Sequence, residues 1–525
     1  MAATTARQQT GVLRAVHGSV SPMVPAAAAC VLTVVLRLVE VGRSSDLFVD
    51  ELIYLDLGRS AGEGGLPRTD DGLFFLHPPG FFYLQAAWAK TIGLDTDVVS
   101  AVYGIRVLNA LLAGATAAVL VLLVARVRSQ PAGLLAGLVF ALDPYCIRQN
   151  NRAMLETETM LWVLAGYLVL IPLARTPLPP RPRARAMCAG LLFGMAITTK
   201  DHSALITMLP LLLAIGLRWG PPRRLLLLTA TASVVPYSLY LTVVAATGHF
   251  DAFRTAKMHG TERLLGFVQE TGFNAPGTPS LAERLTAELP GYASTYVLLL
   301  LTPVALALLL RRKDPEHRLL ALFHGCAILT LAYALALGTL EEQALYLLFV
   351  PNLIALAVVL PLPLGHGARG PRFARRVTAV SVLAVALVLP GTGYATERLR
   401  PDDGFAKLRA YMLQHVPAGS AVTTTDGGHT HGVTRWALKD RYRLGSWASP
   451  GARAAAGSEY VVVPWKIIEE GYGRLTTLEV KHLTRQGDLV FSFHGRSYGV
   501  LALYRLPLPD GATDVDLQAG PGHEP

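Results

Sequence analysis

Charge is scarce in this chain. Only 16% of its 525 residues are Asp, Glu, Lys or Arg, against about 25% in a typical soluble protein. Apolar residues make up 52%, and the mean hydropathy is +0.40, which excludes an ordinary soluble globular protein and a disordered one. Cysteine is equally thin. Cys30, Cys146, Cys188 and Cys326 lie in or beside apolar runs, so a disulfide scaffold is excluded and reduced core thiols are expected. The sequence has no P-loop and no convincing metal-ligand spacing. His429-Thr-His431 resembles a metal motif, but a solvated loop is the stronger reading. The net charge of +10 would suggest a nucleic-acid partner in a soluble protein. Here the placement of the basic residues points to a bilayer instead.

A stretch of about 20 apolar residues crosses a membrane. The expected spans are 22–41, 101–124, 131–145, 159–173, 186–199, 203–217, 225–247, 292–310, 318–337, 344–363 and 377–394. No cleavable leader is apparent, and the first run reads as a retained span. Basic residues in short loops mark the cytoplasmic side. They cluster at Arg7 and Arg14, Arg126 and Arg128, Arg175 to Arg185, Arg218 to Arg224, Arg311 to Lys313, and Arg369 to Arg376. With eleven spans all six clusters share one side, which places the amino terminus inside and the carboxyl terminus outside. The Ala-, Arg- and Leu-rich composition fits a bacterial plasma membrane.

The expected fold class is a polytopic α-helical membrane protein of about eleven transmembrane helices with a small extracytoplasmic α/β domain. Residues 1–397 form the membrane domain, with outer loops 42–100 and 248–291. Residues 398–506 alternate strand-like runs (Ala421 to Thr425, Tyr460 to Val463, Leu489 to Phe493, Val500 to Tyr504) with helical stretches near 403–415 and 465–485, an α/β pattern. Residues 507–525, rich in Pro, Gly and Asp, read as a disordered tail.

Four polar clusters fall on the outer side of this topology. Asp50-Glu51 lies within Asp46-Leu-Phe-Val-Asp50-Glu51-Leu-Ile-Tyr54-Leu-Asp56, opening an amphipathic surface helix; the plain alternative is a helix cap. His77-Pro78-Pro79-Gly80 precedes the aromatic run Phe81 to Tyr83. Arg148 to Glu158 sits between two spans, with Arg152 and Glu156 four apart on one helical face. Thr199-Lys200-Asp201-His202 interrupts an apolar stretch, where ionisable groups are costly and suggest function. Cations at the outer surface hold a lipid phosphate, and a carboxylate accepts the proton of an acceptor hydroxyl. Together they describe glycosyl transfer from a lipid-linked phosphate.

These residues resemble the membrane glycosyltransferases of the C-type (GT-C) fold, specifically the protein mannosyltransferase and aminoarabinose transferase group (family 39-like), over residues 22 to about 365. The acidic motif after the first span looks like Asp50-Glu51, and the proline pair like His77-Pro78-Pro79, with His where the family usually has Lys. The Ser-Arg-x-x-x-Leu-Asp pattern resembles Asn151-Arg152-Ala153-Met154-Leu155-Glu156, and Gly-x-x-x-x-x-Lys resembles Gly194 to Lys200. Glu341 to Pro351 looks like the Tyr-x-x-x-x-Pro segment, with Tyr346 in the tyrosine position.

The resemblance implies a polyprenyl-phosphate monosaccharide donor and inversion at the anomeric centre. It makes Asp50 the general base, with Glu51 beside it and Glu156 as second carboxylate. Arg152 and Lys200 then bind donor phosphate, and His77, His202, Tyr54 and Tyr346 line the substrate site. A divalent cation is used by some relatives. The outer loop 248–291, with Lys257, His259, Glu262 and Arg263, is expected as a lid or acceptor groove. Partners are the bilayer, the lipid-linked donor, and a glycan, lipid, protein or small-molecule acceptor. The competing readings are a polyprenyl-linked sugar transporter or flippase, a non-catalytic receptor working through 398–525, and an oligosaccharide transferase of the same fold.

Overall fold

The computed structural model describes residues 21–94, 96–267, 278–337, 341–360, 387–427 and 432–508. The span expected at 377–394 lies mostly outside these residues, as do His429, His431 and the tail from 509. The described chain opens with α1 (Met23–Leu38), α2 (Val49–Glu63), α3 (Gly80–Ile92) and the long α4 (Val98–Val127). It continues with α5 (Gln130–Leu142), α6 (Pro144–Asn151), α7 (Leu155–Leu170), α8 (Pro182–Thr199), α9 (Ala204–Leu217) and α10 (Arg223–Ala246). Then follow α11 (Phe250–Leu264), α12 (Leu281–Leu300), α13 (Thr302–Leu310), α14 (Pro315–Leu337) and α15 (Tyr346–Val359), and residues 387–398 form α16. Six helical stretches among the described residues are long and apolar enough to cross a membrane, and α5 with α6, bent by 63°, reach that length only when the two are taken together. The molecule is a polytopic helical membrane protein carrying a mixed sheet.

The bend between α5 and α6 departs from the single span expected at 131–145. Pro144 lacks an N–H and pushes the preceding residue out of helical geometry. Asp143 stops one helix and caps the next: its Oδ1 accepts from the Cys146 N–H at 3.1 Å and its Oδ2 from Thr295 at 2.9 Å. A second break follows at residues 152–154. Arg152 and Glu156 therefore do not share a helical face, and their expected pairing is absent.

Close helix contact fixes the frame of α8. An ideal Cβ at Gly190 would lie 2.3 Å from the Thr229 carbonyl oxygen, and one at Gly194 would lie 2.7 Å from that of Ser233. This Gly-x-x-x-Gly face lets the α8 and α10 backbones touch, the usual means of tight helix pairing in a bilayer.

At one end of the bundle three fully buried arginines bind backbone carbonyls. Arg37 donates to Ala141 and, at 2.9 Å, to Phe140 at the end of α5. Arg106 donates to the carbonyls of Ser45 and Asp46, each at 2.7 Å. Arg398 donates to the carbonyls of Arg37, at 2.6 Å, and Val39 at the end of α1. Arg37 and Arg398 satisfy acceptors that a helix carboxyl terminus leaves unpaired, and Arg106 satisfies loop carbonyls between α1 and α2.

The carboxyl-terminal part begins with α17 (Gly404–His415). Its sheet contains β3 (Ala421–Thr424), β4 (Arg443–Gly445), β5 (Ser458–Pro464), β6 (Asp488–Gly495) and β7 (Gly499–Arg505), in the order β4-β3-β5-β7-β6. Two short strands, β1 (Arg68–Thr69) and β2 (Gly72–Leu73), form a separate hairpin in the loop after α2. β3 runs parallel to β4 and β5, while β5–β7 and β7–β6 are antiparallel. Short helices α18 (Val433–Leu438), α19 (Pro450–Ala456) and α20 (Thr477–Thr484) connect the strands. This part shares an apolar core with the segment after α1: Leu52, Leu55 and Ile105 pack with Phe405, Leu408 and Met412. The Tyr498 hydroxyl donates to the Leu47 carbonyl at 2.5 Å, and the Phe405 N–H donates to Asp46 at 3.0 Å.

Candidate active site

The same end of the bundle collects most of the expected polar residues. Asp50 stands in the first turn of α2, Glu156 in the first turn of α7, and Lys200 just past the end of α8. The Lys200 ammonium pairs with Glu156 Oε1, and both side chains are buried. Arg152, 5% exposed, stacks over the Phe48 ring at 4.3 Å and lies 3.8 Å from Glu342. Asp50 sits among these groups, half-buried, with no hydrogen bond from any described residue. Burial pushes its carboxyl up to about 7; Glu341 and Glu156 add to the shift, while Lys200 and Arg152 oppose it. Neighbouring anions make the ionised form costly and neighbouring cations keep it accessible.

Glu51 is placed differently from its neighbour. It is fully buried, and its carboxylate is engaged on all sides. Oε1 accepts from the Phe48 N–H at 2.9 Å and from Arg106 at 2.5 Å, and Oε2 accepts from Arg106 Nε and the Ala153 N–H, each at 3.1 Å. This is the glutamate half of a capping box, the Phe48 N-cap having no side-chain acceptor, combined with a buried bidentate ion pair. The geometry gives Glu51 the work of pinning the start of α2 to α4 and to the 152–154 break.

The turn at His77 packs against the end of α8. An ideal Cβ at Gly80 would lie 2.8 Å from the Thr198 carbonyl oxygen, so only glycine lets this turn sit directly on the segment leading to Lys200. Burial, with Lys200, His202, Lys257 and Arg263 around it, holds the His77 imidazole well below its usual value. His77 is thus neutral and offers a hydrogen bond where a Lys would offer a charge. Tyr54 lies edge-on to His77, ring centroids 6.1 Å apart, and its hydroxyl feels the Asp50 and Glu156 charges. Tyr346 is fully buried, and its hydroxyl accepts from Asn150 at 3.0 Å, which keeps it behind the site as support.

α11, expected only as part of a long loop, is a helix laid across this cluster. Lys257 donates to the Leu76 carbonyl at 2.8 Å and pairs with Asp201 at 2.5 Å, tying the His77 turn to the Lys200–His202 segment. Arg263 pairs with Glu341 at 3.1 Å. Arg148, Gln149 and Glu342 form a second layer, with Arg148 2.9 Å from Glu342 and 2.9 Å from the Tyr292 hydroxyl. Sequence reading noted Glu341 and Glu342 only as the start of a tyrosine motif. Their position before a span on the same side as the other clusters was the available signal. Among the described residues no group of three or more His, Cys, Asp or Glu is arranged to hold a metal ion, and the cations interleaved with Asp50 and Glu156 do not suit one.

Three buried polar atoms of this cluster have no hydrogen-bond partner: Glu156 Oε2, Arg152 Nε and His77 Nδ1. Native interiors rarely leave such groups unpaired, and a ligand is one common reason. They include acceptor and donor types and come from three separate segments.

Residues 83–259 match the model of the family described as dolichyl-phosphate-mannose-protein mannosyltransferase. No curated protein matches the sequence. Among solved structures the chain is similar to ArnT from Cupriavidus metallidurans, crystallised with undecaprenyl phosphate. That match has a TM-score of 0.58 and 13% identity, and covers 92% of this chain and 97% of the other. It is also similar to the archaeal oligosaccharyltransferase AglB from Archaeoglobus fulgidus, in complex with an inhibitory peptide and a dolichol-phosphate. There the TM-score is 0.56 at 10% identity, over 94% of this chain and 75% of the other. The fold is the GT-C fold, and the resemblance drawn from the sequence motifs holds.

Proposed function

We propose that this chain transfers a monosaccharide, a pentose or a hexose such as mannose, from a polyprenyl-phosphate donor to an acceptor hydroxyl at the extracytoplasmic surface. The observation that carries this reading is Asp50: a carboxylate without a hydrogen bond from described residues, beside two buried cations, with a carboxyl pushed up to about 7. Such a group is poised to accept a proton near neutral pH. Asp50 takes the acceptor hydroxyl proton as that oxygen bonds to the anomeric carbon. The bond from that carbon to the phosphate oxygen breaks on the opposite face, its electron pair leaving with the polyprenyl phosphate, so the configuration inverts. Arg152 and Lys200 stabilise the departing phosphate charge. Glu156 holds Lys200 and presents its unpaired oxygen to a sugar or acceptor hydroxyl. No step is routed through a divalent cation.

The polar groups gather at one end of the bundle, which supports surface chemistry over a transport path through the bilayer midplane. The test uses the full chain in lipid, offered radiolabelled polyprenyl-phosphate mannose, arabinose, glucose and galactose in turn. Release of polyprenyl phosphate by the native chain, absent in Asp50→Asn, is the expected result. Binding of donor without release, unchanged in Asp50→Asn, would favour the transporter.

A further inference from the structure

The parallel strands β3 and β4 end at a small crevice well separated in the chain from the residues above. Its cavity of about 70 Å³ is lined in part by Thr424, Asp426, Arg435, Ser446 and Arg474. Asp426 is 2% exposed. Its Oδ2 accepts from the Thr434 N–H at 3.1 Å, while Oδ1 has no hydrogen-bond partner among the described residues. Native interiors rarely leave a buried carboxylate oxygen unpaired. Gly432 is required beside it, since an ideal Cβ there would fall 2.2 Å from Oδ2.

The other walls supply donors. Arg474 donates to the Ser446 hydroxyl at 3.1 Å, and Arg435 pairs at 3.3 Å with Asp71, which lies outside the lining. With Arg435 paired in this way, Arg474 and Asp426 leave the crevice close to neutral, so it does not single out a phosphate or a carboxylate. Its groups suit a neutral ligand with adjacent hydroxyls: Asp426 accepts from them, and an arginine and the Thr424 and Ser446 hydroxyls meet their oxygens. Crevices outside the carboxyl ends of strands are the usual ligand position in open α/β sheets.

We infer that this crevice is a carbohydrate-binding subsite, taking the edge of one neutral sugar ring of a glycan at the membrane surface. The volume admits the edge of a ring, with its two vicinal hydroxyls, and leaves the rest of the glycan outside. The inference goes beyond the transfer reaction and stands on separate residues.

The experiment is saturation-transfer-difference NMR on the full chain in detergent, with the methyl glycosides of mannose, arabinose, glucose and galactose as probes. At least one is expected to bind. Asp426→Asn and Arg474→Gln should each weaken that binding at least tenfold, while Asp50→Asn leaves it unchanged. Arg474 is exposed, so its substitution tests the crevice without threatening the fold, and matching thermal midpoints confirm this. The inference is overturned if no glycoside binds, if binding survives both crevice substitutions, or if Asp50→Asn abolishes it equally. The last result would locate the sugar at the transfer site and leave that reading intact.

Discussion

Asp50→Asn should make the protein more stable while making it inactive. In the unfolded chain an aspartate titrates near 3.8, and in the folded protein burial and the Glu341 and Glu156 charges raise Asp50 to about 7. The folded state therefore binds this proton more tightly than the unfolded state. The sign follows from linkage: with the folded pKa raised, the favourable contribution is complete below 3.8 and is lost as pH rises toward 7. About three pH units at about 1.4 kcal/mol each give an upper bound of roughly 4 kcal/mol of destabilisation above pH 7. Asparagine carries no such penalty. Its stabilising effect should be near zero at pH 4, grow through pH 5 and 6, and level off above 7. Thermal unfolding of native and variant chains in one detergent, scanned from pH 4 to 8.5, reads the difference directly. Donor turnover in the native chain should rise over the same range as the base ionises. A variant no more stable at pH 8 than the native chain, or a flat pH–rate profile, would refute the assignment of Asp50 as a strained base.

Glu51→Gln should behave in the opposite way, losing stability first. It leaves the Arg106 charge buried without its partner, a change that costs about 3–5 kcal/mol in comparable pairs; an unchanged melting temperature with lost turnover would instead mark Glu51 as catalytic. Lys200→Met exposes Glu156 to the same penalty, and adding Glu156→Leu should restore most of the melting temperature but none of the donor release. Gly194→Leu should separate α8 from α10 and displace Lys200, seen as lower yield of folded protein and weaker binding of polyprenyl phosphate, whereas Gly216→Leu, where a Cβ meets nothing within 4 Å, should do neither.

How much of this was legible beforehand depended on the range of the interaction. Asp50, Arg152, Glu156 and Lys200 stand out in sequence because ionisable groups at the ends of apolar runs are conspicuous, and basic loops assign them one side. The sheet strands were visible from alternation, within about two residues for the four longest. Glu51 looked like a partner of Asp50 because the two are adjacent. Its actual partner, Arg106, lies 55 positions away; an arginine inside the expected span 101–124 signals a buried pairing, but no local spacing shows which residue it pairs with. The break at 152–154 was hidden for a similar reason. Arg152 and Glu156 have helical spacing, and only the bond from Asn109 to the Arg152 carbonyl, at 2.5 Å, and that of Ala153 to Glu51 reveal that the helix stops there. α11 was missed because most of it is exposed: Phe253 alone is buried, against Phe75 and Tyr240, which leaves no strong apolar period in its sequence.

The three buried guanidinium groups also bear on how the protein is made. A lone arginine within an apolar helix is expensive to leave in a bilayer, and Arg37 stands in the last turn of α1. Its acceptors, the carbonyls of Phe140 and Ala141, emerge about a hundred residues later. The acceptors at the end of α1 wait far longer, because Arg398, which binds the carbonyls of Arg37 and Val39, follows about 360 positions later. These carbonyls therefore gain their donor only once the chain has passed residue 398. A chain halted before that point leaves the end of α1 without it.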